Sequence, residues 1–422
     1  MEEKKLERFN KIFPWYAGLS SDLLFWIAID TLFLTVIKNF NASQIVSLTT
    51  VSLITCIALQ VPLLKIIKKI GNTNSVRLGS MLLLVSSLLL TFGQNYIVIA
   101  LGQVIYEIAF TFQNMANAVL KNNLELQNRN NEYIKVKTKS NTIYAIITMI
   151  ISFIASLMFN LNNYLPMLGC IAFCLISFIL SFYIVDYSKY NKIKEETKIK
   201  SKTKVNYNKL IIVLIVSYGL FYPIVNSGQS NGKLFIQQEL LIKFDVEKTA
   251  LIIGAILCVS RIVRVVSNIK FNKIHRKYKE KVGVILPILL SVSIILLILG
   301  AFIRNSAMLK FSIMSLGYII ILFIRDPFKV YMQDLALRNV IKEGQQSLLT
   351  TMELSRKIGR AIISLSFTMI LANNPMITVV AILFILSIIE ILVSVKLYKL
   401  VVNVKEVKSE ESSNRNCEQT LC

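Results

Sequence analysis

VGVILPILLSVSIILLILGAFI, Val282 to Ile303, is the stretch on which the fold turns. It contains no ionisable side chain and is bracketed by Lys279, Glu280 and Lys281 before it and Arg304 after it. About 20 residues at ~1.5 Å rise cross a ~30 Å hydrocarbon core. Lipid offers the backbone no hydrogen-bond partner, so such a run must satisfy its own N–H and C=O groups as a helix. Working outward, apolar runs of similar length recur along the chain. They predict helices at 14–38, 43–67, 76–94, 96–120, 141–161, 164–186, 208–232, 247–269, 282–303, 307–330, 347–371 and 375–400. The expectation is an all-α integral membrane protein with twelve transmembrane helices. The first run is too long for a signal-peptide core and lacks a small-residue cleavage pattern, so it reads as a retained helix.

The 422 residues carry 47 Lys and Arg against 24 Asp and Glu, a formal charge of +23, while 55% of them are hydrophobic. In a soluble protein that charge would suggest nucleic acid. Here the bases lie in short loops between apolar runs and act as topology determinants, so no nucleic-acid partner is expected. With the N-terminus placed in the cytoplasm, the inside loops hold Lys65, Lys68 and Lys69; Lys121, Arg129, Lys135, Lys137 and Lys139; and Lys270, Lys273, Arg276, Lys277, Lys279 and Lys281. The last inside loop and the tail add Lys329, Arg338, Lys342, Lys396, Lys399, Lys405 and Lys408. The outside loops hold only Lys38, Lys233, Lys243, Lys248 and Arg304. The alternation survives all twelve crossings, and a miscounted helix would invert it downstream. Both termini are therefore expected in the cytoplasm, with the protein in the plasma membrane.

Of the six cysteines, Cys56, Cys170, Cys174 and Cys258 fall in apolar runs and Cys417 and Cys422 in the polar tail, with neither disulfide framework nor metal spacing. The one histidine, His275, sits in a basic loop. No metal site, cofactor or nucleophile–base constellation is expected, and the chain does not read as an enzyme. Between the sixth and seventh runs, Tyr187–Asn208 carries Lys189, Lys192, Lys194, Lys198, Lys200, Lys202 and Lys204 against Glu195 and Glu196. It divides the chain into an N-terminal six-helix bundle at 1–186, a basic cytoplasmic linker at 187–207 and a C-terminal six-helix bundle at 208–402. The polar tail 403–422 is expected to be disordered.

Six plus six helices around a central basic loop resembles the major facilitator superfamily. Its signature between helices 2 and 3 has the form G-x-x-x-D-R-x-G-R-R, with a degenerate copy between helices 8 and 9. The first copy here is Leu64-Lys-Ile-Ile-Lys68-Lys69-Ile-Gly71, in which Gly71 and the base Lys69 match and Lys68 stands at the acidic position. The second is Asn268-Ile-Lys-Phe-Asn272-Lys273-Ile-His275-Arg276-Lys277, which keeps the bases and has Asn272 for the acid. The helix 5 pattern of drug antiporters is absent, since residues 141–156 hold no Gly or Pro. The resemblance implies two pseudo-symmetric bundles whose helices 1, 4, 7 and 10 line a central cavity.

Charges and amides inside the apolar runs are the candidate functional residues, because a charge at a helix centre costs about 2.5–3.5 kcal/mol and is kept only where it faces protein or water. Helix 4 carries Gln103, Glu107, Thr111, Asn114 and Asn117 on one stripe at ~100° per residue. Helix 1 carries Asp22 and Asp30 with Trp26 between them, and helix 7 carries Tyr218, Tyr222, Asn226, Gln229 and Lys233 on one face. Helix 10 carries Tyr318 and Arg325 beside Asp326 and Pro327. Asp30, Glu107, Gln103, Asn114, Trp26, Tyr218, Tyr222, Asn226 and Tyr318 are read as the substrate and coupling set. Asp22, Arg325, Arg356 and Arg360 are read as an inner gate. Glu353 is expected to pair with Lys357 at i+4, and Glu390 in helix 12 has no assigned role.

The function this implies is a secondary active transporter of a small organic solute, working by alternating access and driven by protons. Its partners are the solute, protons and membrane lipids, and a monomer is expected. The alternatives are a lipid- or glycan-handling flippase of the same architecture and a drug-type efflux pump.

Overall fold

A computed structural model of the chain describes residues 2–129, 132–187, 208–339 and 342–420. The expected basic linker lies outside the described residues from position 188 onward. Among the described residues there is no strand. The helices run in order α1 Glu2–Leu19, α2 Leu24–Leu32, a π-helical turn Phe33–Ile37, α3 Ala42–Phe92, α4 Tyr96–Gln113, α5 Met115–Leu126, α6 Tyr133–Leu161 and α7 Leu165–Ser181. They continue with α8 Lys209–Leu241, α9 Val246–Tyr278, a 3-10 turn Lys279–Lys281, α10 Val282–Phe302, α11 Ala307–Arg338, α12 Lys342–Leu371 and α13 Met376–Thr420. Nine helical stretches among the described residues are long and apolar enough to cross a membrane, and a tenth apolar helix, Leu165–Ser181, is shorter. One of the nine, Ala42–Phe92, has 51 residues, more than twice the length one crossing needs.

Several boundaries differ from the sequence expectation for identifiable reasons. The segments expected at 43–67 and 76–94 join into α3, interrupted at Gly71, whose φ of 79° departs from the helix. Glycine takes that conformation without a Cβ clash, so the chain changes direction there with no longer loop. The basic loops after the fourth and eighth apolar runs shorten, because helix continues to Leu126 and to Tyr278. Lys and Arg are good helix formers once their heads reach water. The first helix is not the continuous 14–38 expected: it starts at Glu2 and breaks between Leu19 and Leu24. The last helix extends to Thr420 across the tail expected to be disordered, a stretch without Gly or Pro.

The chain resolves into two compact units. The first comprises Met1–Lys200, Gln237–Arg261 and Phe367–Ala372; the second comprises Ser201–Ile236, Ile262–Ser366 and Asn373–Cys422. In the first, a core built on Phe9, Phe13, Tyr16, Val119 and Leu120 joins α1 to α5. Small residues let α3 meet its neighbours: Ser80 shares a 2.9 Å hydrogen bond with Tyr16 Oη of α1, and Ser86 Oγ donates to Gly102 O of α4 at 2.9 Å. A Cβ on Gly79 would stand 2.8 Å from Gln113 N, so the two backbones approach as closely as small residues allow. In the second unit, Phe221 and Phe328 stack at 3.6 Å, and Ser291 Oγ donates to Ser387 Oγ at 2.7 Å.

The placement of polarity is that of a protein dissolved in lipid. On α13 Leu392 is 66% exposed and Ile385 57%, while Glu390 is 0% exposed. Water would reverse that order; a bilayer rewards apolar side chains on the outside and drives a carboxyl into the protein.

Candidate functional site

The break in the first helix places Asp22. Ser20, Ser21 and Asp22 follow Gly18, and short polar side chains compete with the helix for backbone hydrogen bonds. Ser21 Oγ donates to Ala17 O, and Leu23 N donates to Asp22 Oδ1 at 3.0 Å, so the interrupted backbone is satisfied locally. Gly18 lets α6 come close, since a Cβ there would stand 2.7 Å from Ile143 Cγ2. That approach carries in Tyr144, whose hydroxyl donates to Asp22 Oδ2 at 3.5 Å. From α4, Tyr106 Oη donates to Asp22 Oδ1. Asp22 thus sits at a helix interruption and is held by two phenols and a peptide N–H. It makes no ion pair among the described residues.

Two further charges stand within electrostatic reach of Asp22: Glu107 and Arg261. Arg261 is 7% exposed, and its Nε has no hydrogen-bond acceptor among the described residues. Glu107 is half-buried and makes no hydrogen bond or ion pair there. Gln103, one turn before it, is half-buried too, and Asn114 is exposed where α4 passes into α5. Asp30 is half-buried and accepts from Thr31 N at 2.7 Å. Trp26 is 4% exposed with its ring 6.4 Å from that of Phe33, which puts it in the core of the first unit. Tyr106 and Tyr144 escaped the sequence reading, because a tyrosine in an apolar run reads as packing unless its hydroxyl is known to meet a carboxylate.

In the second unit the structure draws another subset together. Tyr218 and Tyr222 lie 4.8 Å apart by ring centroid. Tyr218 Oη donates to Glu353 Oε1 at 2.7 Å, and Tyr222 Oη donates to the carbonyl of Arg325 at 2.7 Å. Arg325 donates to Gln229 Oε1 at 2.7 Å. Glu353 pairs with Arg356 at i+3, 2.7 Å, and with Lys329 at 3.8 Å; the expected i+4 partner Lys357 is displaced by the better reach of the guanidinium. Asn226 is half-buried with an unpartnered Nδ2 among the described residues, and Arg360 is half-buried one turn beyond Arg356. Tyr318 is 1% exposed and packs beside Gly232, where a Cβ would stand 3.6 Å from its Cδ2. Two of the three arginines expected at a gate are therefore engaged, Arg356 by Glu353 and Arg325 by Gln229.

Two more carboxylates complete the picture. Asp326 is gripped by Arg264 through Nε at 2.6 Å and Nη2 at 3.0 Å, with Asn268 Nδ2 at 3.0 Å. Asp186, 2% exposed, accepts from Asn72 Nδ2 at 2.8 Å and Asn122 Nδ2 at 2.9 Å, and its N–H donates to Thr73 Oγ1 at 2.9 Å. The signature loop after Gly71, which has Lys68 where an acid was expected, thus meets a carboxylate supplied from beyond the end of α7.

No curated protein matches the sequence. Among solved structures, the chain is similar to a bacterial homologue of the iron transporter ferroportin in an inward-facing state, at 14% identity over 93% of this chain and 98% of that one, with a TM-score of 0.68. The nucleoside transporter NupG gives 13% identity over 93% and 99%, with a TM-score of 0.70. A bacterial homologue of the human lysosomal transporter Spinster, inward-facing and unoccupied, gives 10% over 94% and 98%, with a TM-score of 0.64. At these identities the likeness is one of fold. A profile of the Major Facilitator Superfamily matches residues 15–363. This multi-pass membrane protein, with its broken first helix and its carboxylates drawn inward, belongs to the Major Facilitator Superfamily of membrane transporters.

Proposed function

We propose that the chain is a secondary active carrier that moves a small organic solute by alternating access, coupled to protons, in the plasma membrane with both termini in the cytoplasm. The observation that carries this reading is the interruption of the first helix at Asp22, next to a half-buried Glu107 without a hydrogen-bond or ion-pair partner among the described residues. Non-helical backbone at membrane depth is kept where protein or a water-filled cavity receives it, and discontinuous helices build carrier sites. Asp22, Glu107 and the buried Arg261 together offer both signs of charge within one neighbourhood. That pairing suits a zwitterion or a solute with one cationic group and a polar remainder. Gln103 and Asn114 on α4, Asp30 and Trp26 in the first unit, and Tyr218, Tyr222, Asn226 and Tyr318 in the second are the remaining contacts of this reading. Asp22, Arg325, Arg356 and Arg360 change partners as the carrier turns over.

The test begins with thermal stabilisation of the purified protein by candidate solutes, since binding to the folded state alone raises its apparent stability. A solute that stabilises is then followed as flux into proteoliposomes with and without a pH gradient. Glu107→Gln is expected to bind the solute and lose the response of flux to the gradient. Wild-type flux with an unchanged gradient response in Glu107→Gln would remove Glu107 from coupling.

A further inference from the structure

At the end of the first unit where α1 begins and α7 ends, a cavity of about 460 Å³ is lined by Lys5, Arg8, Tyr183 and Tyr187, with Phe9, Phe182 and Val185 as its apolar wall. Nothing in the transport reading uses it. Lys5 and Arg8 are three apart on α1 and share a face of that helix. Glu7 lies ~200° around the helix from Lys5 and so does not neutralise the pair on that face. The Arg8 guanidinium lies 4.5 Å over the Tyr183 ring, a contact that holds the fork in place and leaves its N–H edge free to point elsewhere. Phenol hydroxyls on Tyr183 and Tyr187 add neutral donors beside the two cations.

The apolar side of the cavity says which anion belongs there. Phe182 is 50% exposed and Tyr183 39%, directly after α7, whose Leu175, Ile176 and Ile179 are exposed in the same way. A bilayer would solvate such side chains with acyl chains. The cavity begins one turn past them, where the apolar helix ends. A soluble phosphate would have no use for an exposed phenylalanine on the rim.

We propose that this cavity is a binding site for the phosphodiester headgroup of an anionic phospholipid in the leaflet facing the basic loops. Lys5 and Arg8 take the phosphate oxygens, the tyrosine hydroxyls take the remaining acceptors, and Phe182 and Val185 contact the first acyl carbons. Two phosphate contacts of this kind are strengthened by low local dielectric and weakened by salt. By tying α1 to the end of α7 through one lipid, the site makes the stability of the first unit respond to membrane composition.

The test is native mass spectrometry of the detergent-extracted full chain after exchange with phosphatidylglycerol or with phosphatidylcholine. The wild-type protein is expected to retain one phosphatidylglycerol, in preference to phosphatidylcholine and less at high ionic strength. Lys5→Ala with Arg8→Ala is expected to lower that occupancy at least tenfold while keeping the wild-type thermal midpoint measured without added lipid. Lys5→Arg with Arg8→Lys, which keeps both charges, is the second variant should the first not fold, and it is expected to retain the lipid. Equal retention by the alanine variant overturns the proposal, as does loss of the lipid by the charge-keeping one. Displacement of the lipid by an equal concentration of soluble glycerol phosphate would also overturn it, because the site would then belong to a water-soluble phosphate.

Discussion

Asp22 in the first unit and Asp326 in the second are both half-buried aspartates within membrane-capable stretches, and they are held in opposite ways. Asp326 faces a guanidinium that meets it at two points, with an asparagine amide as third donor. Asp22 faces two phenols and one peptide N–H. The difference separates a carboxylate that closes a structure from one that keeps its options. Removing one partner of a buried ion pair strands the other charge, so such a pair resists exchange. Hydroxyl donors release an acceptor at a cost near that of one ordinary hydrogen bond, so a solute can replace them. Glu353, bound by Arg356, Lys329 and Tyr218, sides with Asp326. Glu390 sides with Asp22, because its Oε1 accepts from Ser217 at 2.6 Å and Ser394 at 2.8 Å while Oε2 has no partner among the described residues.

The comparison breaks first at Asp326. Asp326→Ala is expected to lower stability by about 3 kcal/mol by stranding Arg264, read as a fall in the thermal unfolding midpoint of purified protein. Adding Arg264→Met should restore most of it, and an unaltered midpoint in the single variant would reduce the pair to surface decoration. Next comes Glu390: Glu390→Ala should cost about 2–3 kcal/mol through the cavity and the two orphaned hydroxyls. Glu390→Gln, which can still accept from both serines, should stay within about 1 kcal/mol of wild type. A glutamine variant as damaged as the alanine one would show that the carboxyl itself matters.

Asp22→Asn sharpens the other side. Its folded stability should change by less than about 1 kcal/mol, while affinity for the solute that stabilises the wild type should fall about tenfold, equivalent to ~1.4 kcal/mol. Isothermal titration reads this directly, and undiminished affinity would place Asp22 with the structural carboxylates. The smallest effect is expected from Tyr106→Phe, which deletes one donor: about 1 kcal/mol in solute affinity or stability, but not in both. A loss shared equally between the two would mean that the phenol only braces the helix break.

Much of the architecture is legible in the order of residues. Apolar runs mark the helices, because bilayer thickness and backbone satisfaction leave a chain little choice. The expected helix 4 stripe follows from the period of one helix, which the structure divides at Asn114 into α4 and α5. Less visible was anything that depends on a second helix. Gly18 lets α6 close in on the break at Asp22, and nothing in the spacing of Ser20, Ser21 and Asp22 shows that Tyr106 and Tyr144 will be there. That the Trp26 ring lies 6.4 Å from that of Phe33 was likewise not visible in the spacing. Asp186 meets Asn72 and Thr73 beside the signature loop from more than 100 residues later, a contact that no local motif can reveal.

By itself, the sequence determined that this protein lives in a membrane, where its apolar runs lie and which residues are too polar to face lipid. Those outcomes follow from transfer free energies and from helical periodicity, both local quantities. The tertiary structure decided which of the inward carboxylates are locked by a cation and which rest on hydroxyls. That choice depends on distances between side chains far apart in the chain, set by where glycine and serine let helices touch. It is therefore a property of packing, and only the folded protein holds it.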